Sequence, residues 1–388
     1  MKEKKIVINK ITIISFICFI FYFKPFYVTY YNITNINEFY VWGLRILFIV
    51  GIVLYLSSKR ISNLIIILSL FYCVKIISTL LNNGDVMVVI SEIYTTLGAC
   101  ILIELFSRKN FIYFLKGLRN VMFILMIIST LTTLYNPYGF NTIYDKVYFQ
   151  RPGNQLASFM IIVLFISVLY SKIKFGKKLT LFNISLIVSS FFIAINVRSA
   201  SGIVAVTTFF IYLVINDKNK IIKLVNIKNV FLVYTVFYLS IIVFKLQEVF
   251  SEIIVGILGK DLTFTGRTIL WDSAKEIIRR NLYLGIGTQS STNLIYDPGS
   301  CSYLSTHNQI LQLLVENGFI SLIMFFAIII ILFIKVKNID NEIEFLISVT
   351  LLSMLLVLFS EAMGFFDLFF VISITYNIPK IKKENSYE

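Results

Sequence analysis

Long apolar runs separated by short polar breaks fill this 388-residue chain from end to end. The runs are continuous and lack the period of two that marks a strand. Many approach the roughly 20 residues that an α-helix needs to cross about 30 Å of hydrocarbon. Twelve spans can be drawn: 6–24, 39–57, 61–81, 86–106, 119–135, 154–171, 179–196, 200–215, 229–246, 307–334, 343–360 and 362–378. The pattern predicts an all-α polytopic membrane protein with about twelve transmembrane helices, and strands are not expected. One polar interval, 247–306, breaks the rhythm. It divides the chain into a nine-span N-terminal bundle (1–246), a large loop (247–306) and a C-terminal bundle of three spans with a tail (307–388).

Composition agrees with this reading. Apolar residues make up 58% of the chain, charged residues 14%, and the mean hydropathy is +0.85. Soluble domains carry roughly 25% charged residues. The first span follows Lys2, Lys4 and Lys5 but ends at Lys24-Pro25 without a small-x-small cleavage site, so it reads as a span rather than a cleaved signal. Basic residues then set the orientation. With the N-terminus inside, Lys59, Arg60, Arg108, Lys109, Lys116, Lys172, Lys174, Lys177, Lys178, Lys218, Lys220, Lys223, Lys228, Lys335, Lys337, Lys380, Lys382 and Lys383 all fall on the cytoplasmic side. Both termini are expected there. The net charge of +14 is thus a signal of topology and of attraction to anionic lipid, and nucleic acid is not an expected partner. The bias towards Ile, Lys, Asn, Phe and Tyr suggests an AT-rich bacterial genome. Cys18, Cys73 and Cys100 lie in spans and Cys301 stands alone outside, so neither a disulfide nor a cysteine metal site is expected.

The large loop carries its own pattern. Segment 268–283 places Leu270, Ala274, Ile277, Ile278 and Leu282 on one helical face and Asp272, Lys275, Glu276 and Arg279 on the other. That spacing predicts a helix lying on the membrane surface. Leu284-Gly285-Ile286-Gly287-Thr288 ends it, and a polar stretch leads to the single histidine of the chain, in Ser305-Thr306-His307-Asn308-Gln309. Thr306 and Gln309 have capping-box spacing, which places His307 in the first turn of a membrane helix. The positive helix end there disfavours imidazolium, so a neutral ring is a candidate general base.

Several cations stand on the side opposite to the basic loops: Arg45 and Lys75 in outer halves of spans, Arg198 at a helix end, and Arg151, Lys245 and Arg267 in outer loops or at their edges. Charge at membrane depth requires a partner. Glu92, Glu361 and Asp367 are the candidate internal partners. An outward basin richer in guanidinium and ammonium than in carboxylate suits an anionic ligand, and diphosphate fits the planar fork of arginine.

Three motifs resemble those of the bacterial O-antigen ligase and polysaccharide polymerase superfamily. His307-Asn308 followed by Glu316-Asn317-Gly318-Phe319-Ile320 is similar to its His-(Asn/Ser)…Glu-x-Gly-x-x-Gly signature, with Ser321 in place of the last glycine. Gly266-Arg267…Trp271…Leu284-Gly285-Ile286-Gly287 resembles its Gly-Arg…Trp…Pro-Leu-x-Gly-x-Gly pattern, with Tyr283 in place of proline. Arg198-Ser199-Ala200-Ser201-Gly202 resembles its Ser-Arg-(small)-Gly corner, with the arginine ahead of its serine. The specific likeness covers roughly residues 196–322.

This resemblance implies a metal-independent integral-membrane glycosyltransferase on the outer face of the bacterial cytoplasmic membrane, without a cofactor. Its donor would be an oligosaccharide on a polyprenyl (undecaprenyl) diphosphate carrier and its acceptor another glycan. A chain-length regulator and a flippase are implied as further partners. His307 is then the catalytic base and Arg267 stabilises the leaving diphosphate. Arg198 and Arg151 join it in substrate binding, with Asn308 and Trp271 as further contacts. Glu316, Gly318, Gly266, Gly285 and Gly287 are motif or structural positions. Glu316 lies nine residues from His307, about 180° around an ideal helix, too far round to orient that ring. A polymerase joining repeat units of capsule, exopolysaccharide or O-antigen is favoured. A ligase delivering finished polymer is the alternative. A flippase or transporter is the rival from another class, and the unequal halves of the chain argue against it.

Overall fold

The computed structural model describes residues 9–140, 146–215, 224–246, 267–289, 295–297, 302–337 and 339–378. Within them the chain is a helical bundle, and every apolar run predicted from the sequence contains a helix. In chain order these are α1 (Lys10–Tyr22), the short α2 (Phe26–Tyr30), α3 (Thr34–Ser57), α4 (Asn63–Leu81), α5 (Val86–Glu92), α6 (Gly98–Tyr135), α7 (Leu156–Phe175), α8 (Leu181–Val197), α9 (Ala200–Val214) and α10 (Ile227–Tyr238). After the long polar interval come α11 (Arg267–Arg280), α12 (Gln309–Val336), α13 (Asn341–Ser360) and α14 (Phe366–Asn377). Helix starts are written in the sequence. Ser62, Asp85, Thr180, Ser199, Asn226, Asn308 and Asp340 each accept a hydrogen bond from an amide of the first turn that follows.

Seven helical stretches among the described residues are long and apolar enough to cross a membrane by length and composition, and four shorter apolar helices accompany them. One of the seven, Val86–Tyr135, runs for 50 residues. It contains two predicted spans, yet the expected loop between them is a corner: helix continues on both sides of Asn110, the one residue with extended backbone (φ −163°, ψ 108°). A π-helical turn, Ile93–Leu97, joins α5 to α6.

Burial sorts the helices. Every residue of α7 from 156 to 171 is buried, which makes α7 the centre of the bundle. Helix α14 is buried from Asp367 onwards. By contrast only 11% of the α3 span is buried, and Ile46, Ile49, Val53, Leu54 and Leu56 point outwards. Those side chains suit lipid, since a helix apolar all round is stable where hydrocarbon replaces water.

Two expectations change. Strands are not expected, yet Ile295–Asp297 pairs antiparallel with Ser302–Leu304 in the polar interval. The amphipathic helix α11 turns most of its apolar face to protein rather than to lipid. Leu270 and Ala274 pack on Val315 of α12, with Ile277, Ile278 and Ile286 beside them. A neighbouring protein face satisfies the same apolar stripe that a membrane surface would.

Candidate active site

The start of α12 is capped differently from the expected box. Asn308 is the cap: its side-chain oxygen accepts the Leu311 amide at 3.0 Å, and its amide group donates to the Phe359 carbonyl at 3.1 Å. His307 therefore precedes the helix rather than lying in its first turn, and its backbone is left-handed (φ 47°). Thr306 bonds forward not to Gln309 but to Gln312, whose side-chain oxygen accepts the Thr306 amide at 3.1 Å. Gln309 is employed elsewhere: its oxygen accepts the amides of Met363 and Gly364, each at 2.8 Å. Asn308 and Gln309 together tie the start of α12 to the end of α13 and the bend after it.

That bend holds Glu361, on which the site converges. Arg267 lies 3.2 Å from one carboxylate oxygen, and the Asn154 amide donates to the same oxygen at 3.0 Å. Nδ1 of His307 is 3.7 Å from the other oxygen, an ion-pair distance rather than a hydrogen bond. Glu361 is 7% exposed. Burial pushes its carboxyl up, but the His307 ring, the Asn154 amide and the Arg267 charge outweigh that, and its pKa falls below the ordinary glutamate value. It is held as a carboxylate. The His307 side chain is half-exposed, so the ring edge away from Glu361 is accessible. Arg267 gives one N–H to Glu361, and its other N–H groups bond none of the described residues.

Arg151 occupies a second ion pair close by in the sequence of contacts. It lies 3.0 Å from Asp367 at the start of α14, and Ser158 donates to the other Asp367 oxygen at 2.5 Å. Arg198 is separate. It ends α8 in a left-handed conformation (φ 58°), while Ser199 caps α9 by accepting the Gly202 amide. Its side chain is exposed and bonds none of the described residues. Burial raises the Tyr148 phenol, and the Arg198 charge draws it back. No contact joins Arg198 to His307 or Glu361. Of the remaining cations, Lys75 pairs with the candidate partner Glu92 at 2.5 Å, whereas Lys245 pairs at 2.8 Å with Asp272, a carboxylate outside the three candidates. Arg45 instead rests over the Trp42 ring, 5.0 Å from its centroid.

Trp271, expected as a substrate contact, is buried in the protein. It is 2% exposed, packed with Ile242 and Leu311, and its ring N–H donates to the Thr306 carbonyl at 3.1 Å. It props the residue before His307, and so fixes the loop that presents the imidazole.

The glycines of the second motif explain themselves geometrically. Gly318 breaks α12 with φ 68°, ψ −170°. The turn after α11 fills the break with backbone hydrogen bonds: Phe319 to Leu282 (2.8 Å), Ile320 to Tyr283 (3.2 Å), Ile286 to Val315 (2.9 Å) and Gly287 to Glu316 (2.8 Å). A broken helix inside a bundle is tolerated only when its freed amides and carbonyls find such partners. A Cβ on Gly318 would lie 2.3 Å from the Tyr283 carbonyl oxygen, and one on Gly285 2.5 Å from the Val315 carbonyl oxygen. Glu316 supports the same joint, accepting from Gln312 at 2.9 Å and from Thr288 at 3.3 Å, with no contact to His307. Gly266 lies outside the described residues.

Glu361 and Asn154 were not placed in the site by sequence. Glu361 stood out only as a carboxylate available for pairing, in Ser360-Glu361-Ala362-Met363-Gly364 between two apolar runs. Nothing along the chain marked Asn154, 153 positions before its partner ion pair's histidine, as belonging with either.

Together these features define a class: a polytopic membrane protein that gathers an imidazole, a guanidinium and a carboxylate at one end of its bundle. Residues 153–326 match the family model of O-antigen ligase. That segment, less than half of the chain, is similar to the O-antigen ligase family, and the match supports an assignment to the O-antigen ligase and polymerase superfamily. The matched segment contains Arg198, Arg267, His307 and Gly318 but ends before Glu361. No curated protein and no solved structure matches the chain.

Proposed function

We propose that the chain is a polysaccharide polymerase that transfers a glycan from polyprenyl diphosphate to a glycan acceptor on the outer face of the cytoplasmic membrane. The meeting of His307 and Arg267 on Glu361, from three distant segments, carries this reading. Orientation is argued from charge. Lys335 and Lys337 end α12, 28 residues of helix and roughly 40 Å from the His307 end, and Arg60 and Arg108 gather with Lys335. A basic end belongs inside, so the histidine end belongs outside.

In the reaction, an acceptor hydroxyl attacks C1 of the donor sugar and its proton passes to the free nitrogen of His307. The bond from C1 to the diphosphate oxygen breaks, and that oxygen keeps the electron pair. Arg267 stabilises the charge growing on it, a role in which a preorganised cation is worth most. Glu361 aims the ring and balances the imidazolium formed, as a carboxylate does behind a catalytic histidine. Arg151 and Arg198 extend the basic wall towards the carrier. In-line attack inverts the anomeric centre.

Ligation is the second reading, because the matched family is described as O-antigen ligase. Deletion in the host separates the two. Single repeat units accumulating on the carrier support polymerisation, and unattached polymer of normal length supports ligation. Transport of the carrier by reconstituted protein with no glycosidic bond formed would refute both.

A further inference from the structure

At the end of the bundle opposite His307, a cavity of about 350 Å³ opens among Arg60, Ser62, Arg108, Lys335 and Tyr376. Its cations come from the α3–α4 link, the corner of α6 and the last turn of α12. No carboxylate lines it. The carboxylate behind its wall, Glu104, is buried and already accepts from Tyr55 (3.2 Å), Ser62 (2.6 Å) and Arg108 (2.6 Å). Arg60 and Lys335 have no carboxylate partner among the described residues. Lys335 rests 5.2 Å from the centre of the Tyr376 ring, which fixes its ammonium at the rim.

A second cavity, of about 390 Å³, meets the first at Ile61. It is an apolar groove between α3, α4 and α6, lined by Tyr55, Ile61, Ile65, Leu70, Cys73 and Ile101. The Tyr55 hydroxyl accepts the Ser62 amide at 2.9 Å, so one side chain of the groove is bonded to one residue of the basic cavity. From Ile65 to Cys73 the groove descends about 12 Å along α4. Ile61, Leu70 and Cys73 are exposed on the face that meets lipid.

We propose that these two cavities form one binding site for an anionic phospholipid, its phosphate among Arg60, Arg108 and Lys335 and an acyl chain in the groove. The charge of the polar cavity selects an anion, since a phosphate brings the negative charge that two of its cations lack. The joined groove selects a lipid over a free phosphate, because an apolar channel of that depth adds nothing to the binding of a small anion. The site is independent of the glycosyl-transfer reading and lies at the other end of the bundle.

The test uses the purified full-length protein in detergent, titrated with dioleoyl phosphatidylglycerol or dioleoyl phosphatidylcholine, with bound lipid counted by native mass spectrometry. Wild-type protein should retain phosphatidylglycerol at lower concentration than phosphatidylcholine. Arg60→Gln with Lys335→Gln should weaken phosphatidylglycerol by about 30-fold, roughly 5-fold for each cation, and leave phosphatidylcholine unchanged. Arg60→Lys with Lys335→Arg should keep the preference, which also shows that the positions tolerate substitution. Cys73→Trp should weaken phosphatidylglycerol with every cation intact. The proposal is overturned by equal retention of the two lipids in wild type, or by a double glutamine variant that binds phosphatidylglycerol like wild type. Binding of sn-glycerol 3-phosphate as tight as that of phosphatidylglycerol would also overturn it, in favour of a free-phosphate site.

Discussion

Replacing Glu361 with glutamine tests the centre of the site while keeping its shape. The amide still offers one oxygen to Asn154 or Arg267, but the negative charge that Arg267 meets at 3.2 Å and His307 at 3.7 Å is gone. Hydrogen bonds to charged groups contribute about 1.5–3 kcal/mol each. Arg267 keeps partial solvent contact, which softens its loss. A net cost near 2 kcal/mol in the transition state follows, about 30-fold in rate. The assay is transfer from a lipid-linked donor by purified protein, with kcat and KM measured separately. Glu361→Gln should lower kcat about 30-fold with a smaller change in KM, because the ring is misaimed while the carrier still binds. If Glu361 acts through His307, a double variant that also carries His307→Ala should be no worse than His307→Ala alone. A folded Glu361→Gln protein within about twofold of wild type would refute the positioning role. Strict additivity of the two variants would refute the coupling.

Other outcomes follow from the same geometry. His307→Ala should lower transfer by about 10²–10⁴-fold without loss of membrane insertion, and wild-type product length would remove the base assignment. Arg267→Lys should lose most activity, because an ammonium cannot reproduce the planar fork; full activity would reduce Arg267 to a general positive charge. Gly318→Ala should destabilise the protein by about 2 kcal/mol or more, through its positive φ and the clash with Tyr283. It should be seen as a lower melting temperature and less monodisperse protein, and an unchanged melting temperature would contradict the joint described. The depressed Glu361 pKa sets a pH dependence. Its contribution to stability is fully present above the ordinary glutamate value and is lost only as pH falls through the lower folded value. Between pH 8 and 5 Glu361 should keep its charge and its pair with Arg267, so Glu361→Gln should lower the melting temperature throughout that range; a difference that vanishes by pH 6 would mean that the carboxyl is not held down.

The order of apolar runs, their length and their polar starts determined by themselves that this chain is a helical membrane protein, because lipid requires each span to satisfy its own backbone. The same reading singled out His307, Arg267 and Arg151 as candidates, since a lone histidine and misplaced cations are visible without coordinates. It also reached the glycines of the α12 joint, although not their reason. Short-range expectations failed where another helix offered a better partner. Thr306 bonded to Gln312 instead of Gln309, Trp271 turned inwards to the Thr306 carbonyl, and the face of α11 found Val315 instead of lipid. The choice of Glu361 as common partner of Arg267, His307 and Asn154 belonged wholly to the tertiary structure. Capping, amphipathic period and span length are interactions within a few residues, whereas an ion pair depends on which helix ends the packing brings within 4 Å. No local pattern encodes that distance, and the burial of α7 and α14 at the centre of the bundle decides it.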